Sequence, residues 1–183
     1  MKFFLQGLVR GLLIGLFLFA GLVIYKLQPA YKPWLPMTSI HEDGPFTKMK
    51  ISSLAENYSQ CLSVLAHSGL DYQPLDNRMA GECMLENQVH LRQSIAPYSA
   101  TVKGTCPLIV ALTSWEENIL QPAARKYFNA DIARITHYGI FSCRNVRGST
   151  RRSQHAAANA IDIAAIRLSD GIDISVQTDW GKD

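Results

Sequence analysis

The chain has 183 residues, 48% of them apolar, with 18 Lys+Arg against 15 Asp+Glu and a formal net charge of +3. Such a length holds one domain with an extension. So small a net charge leaves no electrostatic footprint for nucleic acid, and no repeat of about 20 to 50 residues points to a solenoid.

Gly11–Tyr25 carries no charge, and apolar character reaches back to Phe3 with only Gln6 and Arg10 interrupting. Phe3–Tyr25 therefore exceeds the roughly 20 residues a helix needs to cross a hydrocarbon core, and Arg10 can snorkel to the nearer interface. A cleaved signal peptide is the rival reading, but Leu22-Val23-Ile24-Tyr25 is bulky where signal peptidase requires small residues. Residues 1–26 are expected to be an uncleaved single span in the inner (cytoplasmic) membrane. Lys2 and Arg10 favour an inside start, with the domain in the periplasm or outside the cell; Lys26 and Lys32 oppose it. Over residues 27–48, Pro29, Pro33 and Pro36 deny a helix and predict a semi-rigid spacer. Tyr31 and Trp34 would lie at headgroup level.

A domain is expected over residues 49–183. Lys50–Ala66 carries Ile51, Leu54, Ala55, Tyr58, Leu62 and Leu65 at helical spacing, stopped by Ser68-Gly69. Cys83–Leu91 reads as a short hairpin about Glu86-Asn87-Gln88. Pro107 opens a helix to about Leu120, with Leu108, Trp115 and Ile119 on its inner face. Pro122 should kink or restart it as far as Asn129. Ile132–Cys143 reads as a strand, and Ala158–Leu168 with Ile172–Val176 as a hairpin turned by Asp170-Gly171. The fold class is α+β, helices packed on a small antiparallel sheet.

The four cysteines, Cys61, Cys83, Cys106 and Cys143, form no C-x-x-C pair, so a zinc knuckle is not supported. An even count beyond a membrane anchor points to disulfides, each stabilising by about 2–4 kcal/mol. Three connectivities are open; Cys61–Cys83 with Cys106–Cys143 closes the shortest successive loops. Four buried free thiols are the alternative.

Chemistry concentrates in Ser153-Gln154-His155-Ala156-Ala157-Ala158-Asn159-Ala160-Ile161-Asp162. Asp162 sits in the apolar run Ala160–Ile166, which reads as a buried strand. A bare carboxylate there would cost several kcal/mol unless paired, protonated or metal-bound. His155, on the loop feeding the strand, is the nearest partner, and imidazole with carboxylate suits a divalent cation such as zinc. The alternative is that Asp162 caps a turn or pairs with Arg144, Arg147, Arg151 or Arg152.

Cys106-Pro107, Trp115, Gln121-Pro122-Ala123-Ala124, Tyr138, Phe141-Ser142-Cys143-Arg144, Ser153-Gln154-His155, Asn159–Ile163, Asp170-Gly171 and Trp180, in that order, resemble the bacterial extensin-like C-terminal domain family. The resemblance covers about residues 50–183. The core of that family in turn resembles the zinc D,D-carboxypeptidase fold, with its signature S-x-H-x-x-G-x-A-x-D. Ser153, His155, Ala160 and Asp162 match, while Ala158 replaces the glycine. The resemblance implies that His155 and Asp162 are two of three zinc ligands, and that Arg144 holds substrate. It also implies a cell-envelope protein binding or acting on cell-wall (peptidoglycan) peptide material. Such peptidases draw a third ligand, a histidine, and a catalytic acid from a strand further on, and the extensin-like family continues to a histidine-rich strand. This sequence stops at Asp183 with no histidine after His155. A non-catalytic envelope domain is the third reading.

Overall fold

The computed structural model describes residues 2–181; Met1, Lys182 and Asp183 lie outside them. Helix α1 (Lys2–Lys26) is 25 residues long. Its Val9–Lys26 window has a mean hydropathy of 1.8 and none of it is buried. By length and composition it can cross a membrane, a property it shares with signal sequences.

The proline-rich stretch is not a free spacer. After a short 3-10 turn, Pro29–Tyr31, Met37 and Ile40 enter the main core. Lys50, 3% exposed, donates to the Pro29 carbonyl at 2.8 Å and to Glu42 at 3.1 Å. A buried lysine needs its charge matched, and here the match ties residues 29–42 to the domain.

The expected helix Lys50–Ala66 is two helices. α2 (Thr47–Ser53) runs through a 3-10 turn, Leu54–Glu56, into a break at Asn57 (φ −138°, ψ 86°). The Asn57 side chain accepts from the Gln60 N–H and so caps α3 (Tyr58–His67). An asparagine inside apparently continuous helical spacing thus serves as an N-cap, its preferred position.

β1 (Tyr72–Pro74), β4 (Gln88–Leu91) and β5 (Val102–Thr105) form one antiparallel sheet in the order β1-β4-β5. β2 (Arg78–Ala80) and β3 (Cys83–Leu85) form a separate two-stranded ribbon. The expected hairpin about residues 86–88 is therefore absent among the described residues: β3 pairs backwards with β2, and β4 pairs with β1 and β5. Asn87, at φ +54°, turns the chain from one sheet to the other.

α4 (Cys106–Trp115) continues through a π turn, Glu116–Leu120, into α5 (Gln121–Phe128). Pro122 has no N–H and its ring crowds the carbonyl four residues back, so the helix opens there instead of breaking. The wide turn shifts the helix face. Ile109, Leu112, Thr113 and Glu116 are buried, whereas Ile119, expected inside, is 55% exposed. Asn129, in the left-handed region, ends α5.

β6 (Ile132–Gly139), β7 (Asp162–Leu168) and β8 (Asp173–Ser175) form the third sheet, antiparallel in the order β6-β7-β8. The β7–β8 hairpin turns at Asp170-Gly171 as expected, Gly171 taking φ +93°. β6 ends at Gly139, four residues short of Cys143, after register shifts on either side of His137. β7 begins at Asp162, not Ala158.

The core has two parts. Cys61, Val64 and Leu65 of α3 pack on Cys106, Ile109 and Val110 of α4, over Val89, Leu91 and Val102 of the first sheet. Ala124, Ile132, Ile135 and Leu168 form a second cluster under α5. Each fully buried aliphatic side chain here contributes about 1.5–3 kcal/mol. The α3–α4 packing decides the disulfides, which are Cys61–Cys106 and Cys83–Cys143. The Cys61–Cys83 and Cys106–Cys143 pairs are not formed: α3–α4 packing, not loop length, joins Cys61 to Cys106, and Cys83 of β3 then meets Cys143 in the segment after β6.

Candidate functional site

His155 lies in a single 3-10 turn, Gln154–Ala157, set by two local devices. Ser153 Oγ accepts from the His155 N–H at 3.3 Å as an N-cap. Ala158 ends the turn at φ +52°, the left-handed conformation that glycine adopts most readily. An alanine there holds the left-handed backbone at some strain. The Ala158 carbonyl accepts from Thr105 N at 3.0 Å, fastening the turn to β5.

The segment after β6 holds His155 from two sides. Ser142 N–H donates to the His155 carbonyl at 3.0 Å, and His155 Nδ1 lies 2.9 Å from the Ile140 carbonyl. A carbonyl can only accept, so Nδ1 carries the proton, and a neutral ring then presents its lone pair at Nε2. Nε2 faces Asp162 Oδ2 at 3.4 Å. Asp162 is the first residue of β7, paired with Gly139 across the irregular end of β6.

Asp162 is not buried as the apolar run predicts. Its side chain is 61% exposed against 13% for His155. The run is apolar because β7 is the central strand of its sheet, packed through Ala164 and Leu168; Asp162 sits at its open end. Nor does an arginine pair with it: Arg152 bridges Glu82 at 3.3 Å, and Arg144 Nη1 reaches only the Asn145 carbonyl at 3.4 Å. The structure thus brings His155 and Asp162 together. Arg144 is joined to them through the main chain alone, its carbonyl accepting from Ser153 N at 3.1 Å.

At 3.4 Å the Nε2–Oδ2 separation is longer than a good hydrogen bond. It matches the roughly 3.3–3.5 Å edge between two ligands held at about 2.0–2.2 Å on a tetrahedral zinc. The Nδ1–carbonyl bond is the usual outer contact of a ligating histidine. Two groups are nevertheless fewer than the three protein ligands of a catalytic zinc, and no cluster of three His, Cys, Asp or Glu occurs among the described residues.

Two features escaped the sequence reading. A cleft of about 570 Å³ is lined by Arg78, Lys103, His137, Gly139, Ile140 and Phe141, among others. The paired residues do not line it, but Gly139 and Ile140, which position them, do. The second feature is Glu116, wholly buried in the π turn. It accepts from Ser94 Oγ, Tyr98 Oη and the Ile95 N–H. Burial pushes its carboxyl up to about 7, with neighbouring Glu117 adding to the effect and the Tyr98 and Ile95 bonds opposing it. Burial and the Glu116 charge also raise the Tyr98 hydroxyl. Spacing could have revealed Glu116, since it continues the buried stripe of Ile109, Leu112 and Thr113 at helical intervals.

The family model described as extensin-like protein C-terminus matches residues 59–183. The chain belongs to that family. The match takes in both disulfides, the β6–β7–β8 sheet and the His155–Asp162 pair, so the extensin-like domain includes the whole candidate site. No curated protein and no solved structure matches the chain.

Proposed function

We propose that this extensin-like protein is a single-pass inner-membrane protein whose domain, in the periplasm or outside the cell, binds or acts on cell-wall peptide material at the His155–Asp162 pair. The pair carries the reading: an imidazole oriented by the Ile140 carbonyl faces a carboxylate that solvent can reach. Two disulfides and an exposed apolar helix agree with an oxidising envelope compartment.

A zinc D,D-carboxypeptidase-like activity is the second reading, favoured by the 3.4 Å spacing and by the matched signature residues. His155 and Asp162 would hold the ion, which when bound would supply Lewis-acid polarisation of an amide carbonyl. Exposed Arg144 would receive a substrate carboxylate, which a guanidinium can bind through two parallel hydrogen bonds. Two protein ligands do not complete such a centre.

The test is zinc titration by calorimetry on the full chain in detergent, beside co-sedimentation with purified cell-wall sacculi. Wild type should bind zinc weakly, and Asp162→Asn and His155→Ala at least about tenfold more weakly; Asp162→Asn should keep its melting temperature, whereas His155→Ala, which leaves the Ile140 carbonyl without its donor, should melt lower. Identical zinc heats in all three proteins, or a lowered melting temperature of Asp162→Asn with unchanged zinc binding, would make the pair structural. Absence of co-sedimentation would remove the wall-binding role.

A further inference from the structure

Between Cys143 and Ser153 the chain reads Arg144-Asn145-Val146-Arg147-Gly148-Ser149-Thr150-Arg151-Arg152, four arginines and no acid. That is more positive charge than the +3 the whole chain carries net. Every cation from residue 127 to 181 is arginine, none lysine. The choice matters because a guanidinium grips an oxyanion through two hydrogen bonds, while an ammonium acts as a point charge.

The segment is an ordered hairpin. Asn145 and Arg152 form an antiparallel bridge, Val146 N donates to the Arg151 carbonyl at 2.9 Å, and Ser149 N to the Val146 carbonyl at 3.0 Å. Gly148, at φ +72°, occupies the turn position that requires the left-handed region. The Cys83–Cys143 disulfide and the Arg152–Glu82 bridge fix its base. Arg144, Arg147 and Arg151 meet no carboxylate among the described residues. Holding three such charges on one stapled, exposed hairpin costs mutual repulsion, which a bound polyanion would relieve. The ordering entropy is already met by the fold, so binding need not meet it again.

We infer that the hairpin 144–152 is a docking element for a polymer bearing repeated carboxylates, gripped chiefly by Arg147 and Arg151 at its tip. The element works independently of any metal at His155 and Asp162. Only the choice of carboxylate over phosphate rests on the wall-peptide reading above, because guanidinium accepts both.

Labelled poly-L-glutamate is the probe, with polyphosphate as the second arm, read by fluorescence anisotropy on the full chain in neutral detergent at low salt. Arg147→Gln with Arg151→Gln should weaken poly-L-glutamate binding about tenfold, and the matching lysine pair should recover only part of it. Lys48→Gln with Lys126→Gln removes the same charge elsewhere and should change binding less than about threefold. Among the described residues Arg147 and Arg151 make no side-chain hydrogen bond or ion pair, so melting temperatures should hold. Equal losses in the two glutamine pairs, or none in either, would overturn the hairpin assignment, and full recovery with lysine would overturn guanidinium recognition. Arginine-dependent preference for polyphosphate by more than about tenfold would overturn the carboxylate. None of these outcomes depends on zinc titration or co-sedimentation, so the two readings fail separately.

Discussion

Neutralising Glu116 should change how the domain's stability depends on pH. Its partners are two hydroxyls and one amide, with no cation among them. Burial lifts its carboxyl from 4.5 to about 7, so the folded state holds this proton more tightly than the unfolded chain does. The stabilisation is fully present below about pH 4.5 and is lost as pH rises towards 7. At about 1.4 kcal/mol per pH unit of separation, the loss comes to about 3 kcal/mol. Glu116→Gln keeps the shape and stays neutral at every pH, and the Ser94 hydroxyl can rotate to accept from its amide. Guanidinium unfolding of the full chain, disulfides intact, should find variant and wild type nearly equal at pH 4. The variant should gain steadily up to pH 8, reaching about 3 kcal/mol. Other ionisable groups are common to both proteins and cancel in the difference. A difference that does not vary with pH, or a variant weaker at pH 8 than at pH 4, would refute the reasoning.

Lys50→Ala would leave Glu42 without its cation and the Pro29 carbonyl without its donor. It should cost about 3 kcal/mol and make residues 29–42 the first site of limited proteolysis, read by mass spectrometry; unchanged cleavage would show that the clasp does not hold the segment. Non-reducing peptide mapping of protein taken from membranes should yield Cys61–Cys106 and Cys83–Cys143. Mild reductant should open the second bridge first, because Cys143 is exposed whereas Cys61 and Cys106 are wholly buried; recovery of Cys106–Cys143 would contradict the fold.

Local chemistry was legible in the sequence wherever the chain decides it locally. The Asp170-Gly171 hairpin needs only a turn that tolerates positive φ, and the His155–Asp162 approach needs only a short turn feeding a strand. The α4–α5 pair, with its disturbance at Pro122, follows from a missing N–H. Features set by distant contacts were not legible. Which cysteine meets Cys61 depends on α3 lying against α4, and the carbonyl that orients His155 belongs to Ile140, fifteen residues away. Asp162 misled for a related reason, since an apolar run reports the strand's packed face but not where the strand opens to solvent. Ile119 misled because the π turn inserts an extra residue per turn, a shift that regular helical spacing cannot anticipate.

The buried Lys50 clasp also limits where this protein can work. Fully extended, residues 27–48 would span on the order of 70 Å and let the domain range widely above a bilayer. With Lys50 bound to Pro29, and with Met37 and Ile40 packed in the core, that slack is taken up almost at the end of α1. With α1 in the membrane as proposed, the domain stands on the surface like a fixed post. Its height is about one domain diameter, on the order of 40 Å. Any polymer strand it engages must then come down to the membrane, and each molecule patrols an area by diffusing laterally instead of reaching outward.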